Sequence, residues 1–324
     1  GQSFRQQQSL DKVAVIAGET LTLACNTSGY GPPGPVKWVK GWGSENKTVY
    51  EQKGSFPRVT RVLPGSHVDY SIRIGDVRPE DSGSYYCVKT VRFSATPETV
   101  VLGKGIEVSV RARPSIPVIF GPSGRMEPGD SVPFGCMSIG FSPKEINVKW
   151  FKDRTQISSQ LPQVTPERWE SSFTMSSSVT LMLQKDDVRS QVVCEVQHPT
   201  LPAPLRSTYQ LGKVLRVSPS VRVAADSQSS IRVNKTLNFT CYVEGFYPGD
   251  AAVTWLENGL EIKVENISRP RETSRGLFEL TSLVEVQATE ERNGSEFTCR
   301  VVHDGQSPIS GKSTLWIPVL PKDG

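Results

Sequence analysis

The chain has 324 residues, which is long for one domain because a single hydrophobic core stops growing at about 250–300 residues. Charged side chains make up 22% and hydrophobic ones 36%, a balance that excludes a disordered polyelectrolyte and a bundle of membrane-spanning helices. The 37 basic and 33 acidic side chains leave a net charge of +4, too small for a general nucleic-acid binder, so no nucleic-acid partner is predicted.

Six cysteines fall into three consecutive pairs with nearly equal spacing. The separations are 62, 58 and 58 residues, and one tryptophan follows the first cysteine of each pair at almost the same distance. In an immunoglobulin sandwich such a disulfide joins the two sheets and the indole packs against it. Six cysteines allow many pairings, but the threefold repeat selects one. The three sets are Cys25–Cys87 with Trp38, Cys136–Cys194 with Trp150, and Cys241–Cys299 with Trp255.

Zinc is the alternative use of so many cysteines. No pair has the C-x-x-C spacing of a structural zinc site, and only His67, His198 and His303 could add imidazole ligands. The sequence therefore predicts disulfides, no metal and no cofactor. Disulfides of this kind persist in an oxidising, extracellular compartment.

The repeats predict an all-β fold of three tandem immunoglobulin-like β-sandwiches, one variable-type and two constant-type. Apolar residues alternate before the first cysteine of each repeat, as at Leu21 and Leu23, in the pattern of a half-buried strand. The predicted units are a variable-type ligand-binding domain at 1–113, constant-type domains at 114–213 and 214–318, and a C-terminal tail at 319–324.

The first repeat has features typical of a variable-type domain. Its longer cysteine interval leaves room for extra strands between Lys47 and Val62. Gly103-Lys104-Gly105 is predicted to begin the last strand, where glycines permit a bulge. Trp42, which lies between two glycines, is predicted either to be an exposed contact or to cover the sheet.

Two structural contacts are predicted at the base of the first sandwich. Tyr85 lies two residues before Cys87, the position of the tyrosine corner, whose hydroxyl bonds to nearby backbone. Arg58 is placed to pair with Asp81. We interpret both contacts as structural and not catalytic.

The second and third repeats share constant-type motifs. Gly140-Phe141-Ser142-Pro143 and Gly245-Phe246-Tyr247-Pro248 follow the first cysteines, and a Cys-x-Val-x-His motif ends each repeat. These motifs resemble the constant domains of antibodies, T-cell receptors and histocompatibility proteins. The resemblance implies that His198 and His303 are structural residues on surface strands. Val192 replaces the aromatic residue that usually precedes the second cysteine.

Glycosylation motifs also favour an extracellular protein. N-x-S/T sequons predict N-linked glycans at six asparagines, more than chance supplies. No apolar run reaches the about 20 residues needed to span a bilayer, and no signal peptide opens the chain. We therefore expect a mature cell-surface ectodomain whose membrane anchor lies outside this chain. With no spare cysteine for an interchain bridge, it is expected to be monomeric. The sequons are at Asn26, Asn46, Asn234, Asn238, Asn266 and Asn293.

Short motifs along nearly the whole chain resemble the signal-regulatory protein family, as does the order of one variable-type and two constant-type domains. The motifs are Ala17-Gly18-Glu19-Thr20, Gly34-Pro35-Val36-Lys37-Trp38, Phe56-Pro57-Arg58-Val59-Thr60, Ser71-Ile72-Arg73-Ile74-Gly75, Tyr85-Tyr86-Cys87-Val88-Lys89, Trp150-Phe151-Lys152, Trp255-Leu256-Glu257-Asn258-Gly259 and His303-Asp304-Gly305-Gln306.

That resemblance implies a myeloid cell-surface receptor that regulates phagocytosis. In this family the loop tips of the first domain bind integrin-associated protein on an opposing cell, and the constant domains act as a stalk. Loops at one end of a rigid sandwich suit recognition. The predicted ligand-binding residues are Gly29, Tyr30, Gly31, Pro32, Pro33, Glu51, Gln52, Lys53, Ser66, His67, Arg92, Phe93, Ser94, Thr96 and Glu98.

Charge also indicates the first domain as the binding unit. It holds 15 basic and 10 acidic side chains, an excess that favours an acidic partner surface. Tyr30 and Phe93 beside Arg92 are residue types that supply interface hot spots.

Two other function classes compete with this prediction. The first is an antigen-presentation or antigen-receptor relative whose constant-type domains dock a partner chain; the domain order disfavours it. The second is an enzyme, which is not predicted because no Gly-x-Ser-x-Gly nucleophile motif and no metal-ligand set is present.

Overall fold

The structure is a computed structural model that describes residues 10–28, 34–92, 96–167, 172–225, 232–264 and 269–318. Within those ranges it is all-β, and the predicted fold class of three tandem immunoglobulin-like β-sandwiches is confirmed. Short 3-10 turns are at Gly43–Glu45, Pro79–Asp81, Lys185–Arg189, Leu211–Lys213 and Glu290–Arg292.

The first sandwich pairs a five-stranded sheet with a three-stranded one. Its strands are β1 (Asp11–Ile16), β2 (Leu21–Leu23), β3 (Val36–Lys40), β4 (Lys47–Tyr50), β5 (Val59–Arg61), β6 (Ile72–Ile74), β7 (Gly83–Arg92) and β8 (Pro97–Arg111). The sheet orders are β1-β8-β7-β3-β4 and β2-β6-β5. β1 runs parallel to β8, whereas the other pairings are antiparallel.

The second sandwich has two four-stranded sheets. Its strands are β9 (Val118–Phe120), β10 (Ser131–Phe141), β11 (Asn147–Lys152), β12 (Thr155–Ile157), β13 (Gln163–Pro166), β14 (Phe173–Met182), β15 (Gln191–Gln197) and β16 (Leu205–Gln210). The sheet orders are β13-β14-β10-β9 and β12-β11-β15-β16.

The third sandwich repeats this arrangement. Its strands are β17 (Ser220–Ala225), β18 (Thr236–Phe246), β19 (Ala251–Glu257), β20 (Leu260–Ile262), β21 (Arg271–Glu272), β22 (Phe278–Gln287), β23 (Glu296–His303) and β24 (Ile309–Thr314). The sheet orders are β17-β18-β22-β21 and β20-β19-β23-β24.

Two expectations about the first domain's strands need correction. The interval from Lys47 to Val62 holds β4 and β5, the same number of strands that the second domain has in the matching interval. The variable-type feature is instead the parallel pairing of β1 with β8. The last strand, β8, begins at Pro97 and not at Gly103. The bulge is nevertheless there: Gly103 has a φ of 72°, and the register with β7 shifts nearby.

The cores form around the predicted disulfides. All three are present, Cys25–Cys87, Cys136–Cys194 and Cys241–Cys299. Each closes a loop of about 60 residues, which stabilises its sandwich by about 2–4 kcal/mol. Trp38, Trp150 and Trp255 are at most 2% exposed beside them. Each of these three indole N–H groups donates a hydrogen bond of 2.8 or 2.9 Å, so all three buried donors are paired.

The two constant-type cores fill the same space differently. In the third domain Phe239 stacks on Phe297 with ring centroids 4.7 Å apart. In the second domain Val192 occupies the position of Phe297, and Tyr209 on β16 supplies the second ring, 5.5 Å from that of Phe134. The loss of an aromatic residue on one strand is thus compensated from the next strand.

The expected surface placement of the two motif histidines is wrong. His198 is 6% and His303 is 2% exposed. Their Nε2 atoms lie 2.8 Å from the carbonyl oxygens of Pro143 and Pro248, the prolines of the matching motifs. Their role is structural, as expected, but the hydrogen bond is made inside the domain.

The domains are joined by short connections with specific contacts. Ala112 and Ser142 exchange backbone hydrogen bonds of 2.9 and 3.0 Å between the first and second domains. Val217, in the connection between β16 and β17, does the same with Tyr247 of the third domain, at 2.8 and 2.9 Å. The predicted boundaries after residues 113 and 213 lie in these connections, between β8 and β9 and between β16 and β17.

Candidate ligand-binding loops of the first domain

A groove of about 870 Å³ lies at the end of the first domain where the predicted binding loops meet. Four of the predicted ligand residues line it: Glu51, Gln52, Lys53 and His67. Eight residues outside the predicted ligand set complete the lining, four of them on strands β3 and β7: Thr27, Gly34, Pro35, Val36, Lys37, Tyr70, Lys89 and Thr90. Seven predicted ligand residues lie outside the described residues: Gly29, Tyr30, Gly31, Pro32, Pro33, Phe93 and Ser94.

The entry into β3 is packed tightly against the end of β7. A Cβ atom on Gly34 would lie 2.0 Å from the backbone oxygen of Thr90, so this position accepts only glycine without a backbone shift. The Thr90 N–H donates to the Pro35 carbonyl at 3.1 Å. One wall of the groove is therefore a fixed backbone contact between two strands.

The turn at residues 63–67 is held from below by Arg61. Its guanidinium donates hydrogen bonds of 2.6 Å to the carbonyls of Ser66 and Asp69 and lies 4.3 Å from the Tyr70 ring centre. The Ser66 hydroxyl accepts N–H bonds from Val68 and Asp69 at 3.1 and 2.8 Å. Ser66 thus shapes the turn, whereas the side chain of His67 is exposed.

The β7–β8 hairpin carries the remaining predicted residues. Arg92 pairs with Pro97 and Val91 with Glu98 in the antiparallel register. Arg92 and Thr96 are exposed, and Glu98 is half-buried. The strands therefore place Arg92 and Thr96 on either side of the hairpin's tip, outside the lining of the groove.

Charge in the groove is predominantly positive. Its lining has three lysines, Lys37, Lys53 and Lys89, against one carboxylate, Glu51. Lys89 is 5% exposed, while Lys53 is exposed at the rim. A basic concave surface attracts an acidic partner and accelerates encounter.

The base of the domain is fixed by the two predicted contacts. Arg58 donates to both carboxylate oxygens of Asp81, at 2.7 and 2.9 Å, and the Tyr85 hydroxyl donates to the Asp81 carbonyl. Burial raises the pKa of Tyr85 well above its ordinary value. Both contacts lie at the opposite end from the groove and are structural.

The outward face of the five-stranded sheet is covered by the domain's own side chains. Val39, Tyr86 and Val88 are 1%, 6% and 2% exposed, with Trp42 and Leu10 packed over them. The Trp42 ring meets Tyr86 edge-on with centroids 5.6 Å apart. Of the two alternatives predicted for Trp42, the structure supports covering the sheet.

The glycan acceptors that the structure describes lie at or near the surface. Asn26, Asn46, Asn234 and Asn293 are exposed and Asn238 is half-buried, while Asn266 lies outside the described residues. Asn26 is next to Thr27 of the groove, and its side-chain oxygen accepts the Ser28 N–H at 2.8 Å. No cluster of three potential metal ligands occurs within the described ranges.

Comparison with known proteins agrees with this architecture. The immunoglobulin C1-set domain family matches residues 118–201 and 221–306, and an immunoglobulin domain family matches residues 5–90. Human signal-regulatory protein beta-1 is 39% identical over 96% of this chain and 79% of its own length. The chain belongs to the signal-regulatory protein family. It is thus a member of the immunoglobulin superfamily.

Longer relatives of the signal-regulatory protein family also match. Bovine tyrosine-protein phosphatase non-receptor type substrate 1 is 39% identical over 96% of this chain, which spans 62% of that relative's length. Among solved structures, the three-domain ectodomain of mouse nectin-like molecule 4 aligns with a TM-score of 0.60 at 19% identity, covering 96% of this chain and all of that one. This last likeness concerns the fold alone.

In the part of the chain that the structure describes, no helix is long and apolar enough to cross a membrane.

Proposed function

We propose that this chain is the ligand-recognising ectodomain of a receptor that binds integrin-associated protein on an opposing cell and thereby regulates phagocytosis by myeloid cells. The binding surface is the loop end of the first domain, and the two constant-type domains hold it away from the cell that carries it. Membership of the signal-regulatory protein family supports the receptor class. The groove supports the place of binding.

The single observation that carries the proposal is the basic groove among the predicted loops. Four predicted residues from two separate segments meet there with Lys37 and Lys89. One of its walls is the fixed backbone contact of Pro35 with Thr90, so that wall needs no ordering on binding. An acidic segment of a protein partner is the ligand chemistry that this lining favours.

N-linked glycans are part of the proposal. A glycan on Asn26 would stand beside Thr27 at the rim of the groove and restrict the direction of approach. The acceptor Asn46 would place a second glycan on the first domain, and Asn234, Asn238, Asn266 and Asn293 would place four on the third. Glycan occupancy is measured by mass spectrometry of the intact chain.

Surface plasmon resonance with the intact chain and integrin-associated protein of the same species tests the proposed ligand. We expect saturable binding that Tyr30→Ala or Phe93→Ala each weakens by about tenfold or more, as for aromatic interface hot spots. The melting temperature of both variants should equal that of the parent chain. If the parent chain does not bind, the proposed ligand is wrong, although the family assignment stands.

A further inference from the structure

One sheet of the second domain presents an outer face without charge. The strands β9, β10, β13 and β14 contain no Asp, Glu, Lys, Arg or His. The matching strands of the third domain, β17, β18, β21 and β22, carry Arg222, Glu244, Arg271, Glu272, Glu279 and Glu285. A sheet that faces water normally alternates apolar residues inward with polar ones outward; on β14 the outward residues are Ser, Thr and Met, so this strand gives the face polar side chains but no charged ones.

The outer face is also apolar along two neighbouring strands. Val118 pairs with Met137, and Phe120 pairs with Gly135, which places these side chains in one stripe. Val118, Phe120, Met137 and Ile139 are 53%, 54%, 40% and 49% exposed. We call this set, together with Ile116 at 68%, the β9–β10 stripe. Contiguous exposed apolar surface of this kind commonly marks an interaction site.

The equivalent face of the third domain carries polar and charged residues at the matching positions. Arg222 and Tyr242 occupy there the register positions of Val118 and Met137. The Arg222 guanidinium lies 4.2 Å from the Tyr242 ring centre and 3.9 Å from Glu244. A shared fold therefore does not require the apolar stripe; it is specific to the second domain.

Glycan acceptors follow the same division. Asn238, between the core residues Leu237 and Phe239, is a sequon on the outer face of the third domain, whereas residues 114–213 contain no sequon. Pro133-Phe134-Gly135 stands in the second domain where the third has Asn238-Phe239-Thr240. The apolar face is thus free of both charge and predicted glycan.

We propose that this face binds a second copy of the chain, sheet against sheet, in a two-fold dimer. A two-fold interface brings a surface against itself, so a charged face would meet its own charges. A neutral face meets no repulsion, whereas a charged partner surface would have to bury unpaired charges against it. The self-pairing of this uncharged face is therefore the arrangement that the chemistry favours.

The relief of the face also suits self-pairing. A cleft of about 340 Å³, lined in part by the small residues Gly135, Ser176 and Ser178, lies beside the protruding side chains of Phe120 and Leu161. Leu161 is 93% exposed. A two-fold axis places the protruding side chains of each copy over the cleft of the other. Side chains of packed sheets interdigitate in the same way.

The size of the face sets the strength of the dimer. Four strands about 4.8 Å apart and at most about ten residues long cover roughly 600 Å². A standard interface buries about 800 Å² per partner, so the dimer is expected to be weak and to form at high local concentration. At lower concentration the chain is expected to be monomeric, as the sequence predicts. The dimer does not depend on the proposed ligand, because the face lies on the second domain and the ligand-binding loops lie on the first.

Sedimentation equilibrium of the intact chain from about 1 μM to about 1 mM tests the dimer. We expect a monomer–dimer equilibrium in which Met137→Lys raises the dissociation constant by about tenfold or more. Leu283→Lys is the matched control, because Leu283 is 42% exposed on the equivalent sheet of the third domain; it should leave the equilibrium unchanged.

A second variant tests the face without adding charge. Pro133→Asn with Gly135→Thr transfers the sequon of the third domain to the second, and a glycan there should abolish the dimer. The control, Pro133→Gln with Gly135→Thr, carries no acceptor and should dimerise more than the glycosylated variant. The proposal is overturned if the parent chain stays monomeric over the whole concentration range. This holds even if the face binds a different protein that is added. It is also overturned if neither the charge nor the glycan changes the dimer.

Discussion

Arg216, in the connection between the second and third domains, donates a hydrogen bond of 2.8 Å to the Asp304 carboxylate of the third domain. The two side chains are 16% and 23% exposed. Because charged hydrogen bonds that are mostly buried contribute about 1.5–3 kcal/mol, Arg216→Ala should lower the free energy of unfolding of these two domains by about that much. Differential scanning calorimetry measures the loss, and small-angle scattering should show a wider range of interdomain angles.

The matched control for this junction is Arg189→Ala. Arg189 also bridges the two domains, to Glu272 at 2.9 Å, but the pair is 57% and 51% exposed. Exposed ion pairs contribute about 0–1 kcal/mol, so this variant should melt close to the parent chain. Equal effects of the two variants would contradict the proposed stiffening role of Arg216.

Asp81 links the stability of the first domain to pH. Burial raises its pKa, but hydrogen bonds from the Arg58 guanidinium and the Arg78 N–H outweigh burial, so the pKa lies below its ordinary value. A carboxyl group of this kind stabilises the fold above its unfolded pKa of about 3.9 and loses that contribution as the pH falls through the folded value. Asp81→Asn should therefore destabilise the domain by about 1–3 kcal/mol at pH 7 and flatten its acid unfolding.

The control for Asp81 is Asp76→Asn. The Asp76 side chain is 72% exposed and 3.9 Å from Arg78. Its positive φ of 48° is one that asparagine also adopts readily. Calorimetry at pH 7 and pH 3 should show no change for this variant. An unchanged first transition in Asp81→Asn would contradict the structural role of the ion pair.

His198 predicts a second pH effect, in the second domain. Burial lowers the pKa of the imidazole, and the hydrogen bond to Pro143 opposes this only in part. The imidazole therefore binds a proton at about pH 6.5 in the unfolded chain, but only at a lower pH in the folded domain. The stability of the domain should fall as the pH drops below about 6.5. His198→Gln should reduce the slope of melting temperature against pH between about 6.5 and 5. The same slope in both proteins would show that another group is responsible.

Lys53 at the rim of the groove tests the electrostatic part of recognition. Lys53→Glu should lower the association rate with integrin-associated protein by about three- to tenfold at low salt, and the difference should shrink as salt is added. Lys144→Glu makes the same change of charge on an exposed residue of the second domain. It should leave the association rate unchanged; an equal effect would indicate attraction by net charge alone.

Covalent spacing explains why the fold was predictable. A disulfide and an indole between two sheets fix the separation of Cys136, Trp150 and Cys194, and nearly the same separation recurs in the other two domains. The burial of His198 was not predictable from spacing, because its partner is the carbonyl of Pro143, 55 residues away. The exposure of Met137 and Ile139 was not predicted either, because apolar side chains in a strand are ordinarily assigned to the core.

The candidate site was predictable only in part. The loops near Glu51 and His67 were identified because loop ends of this fold carry recognition. Lys37 and Lys89 were missed because they lie on strands, where sequence alone indicates sheet residues. Only the pairing of β3 with β7, which sets Lys89 opposite Val36, brings them to one groove.

Hydrogen exchange of the intact chain, with and without integrin-associated protein, tests the location of recognition most directly. Slower exchange on binding is expected at residues 28–35, 51–55, 63–67 and 90–100, with the second and third domains unchanged. Protection confined to the second or third domain, or no protection anywhere, would contradict recognition by the loops of the first domain.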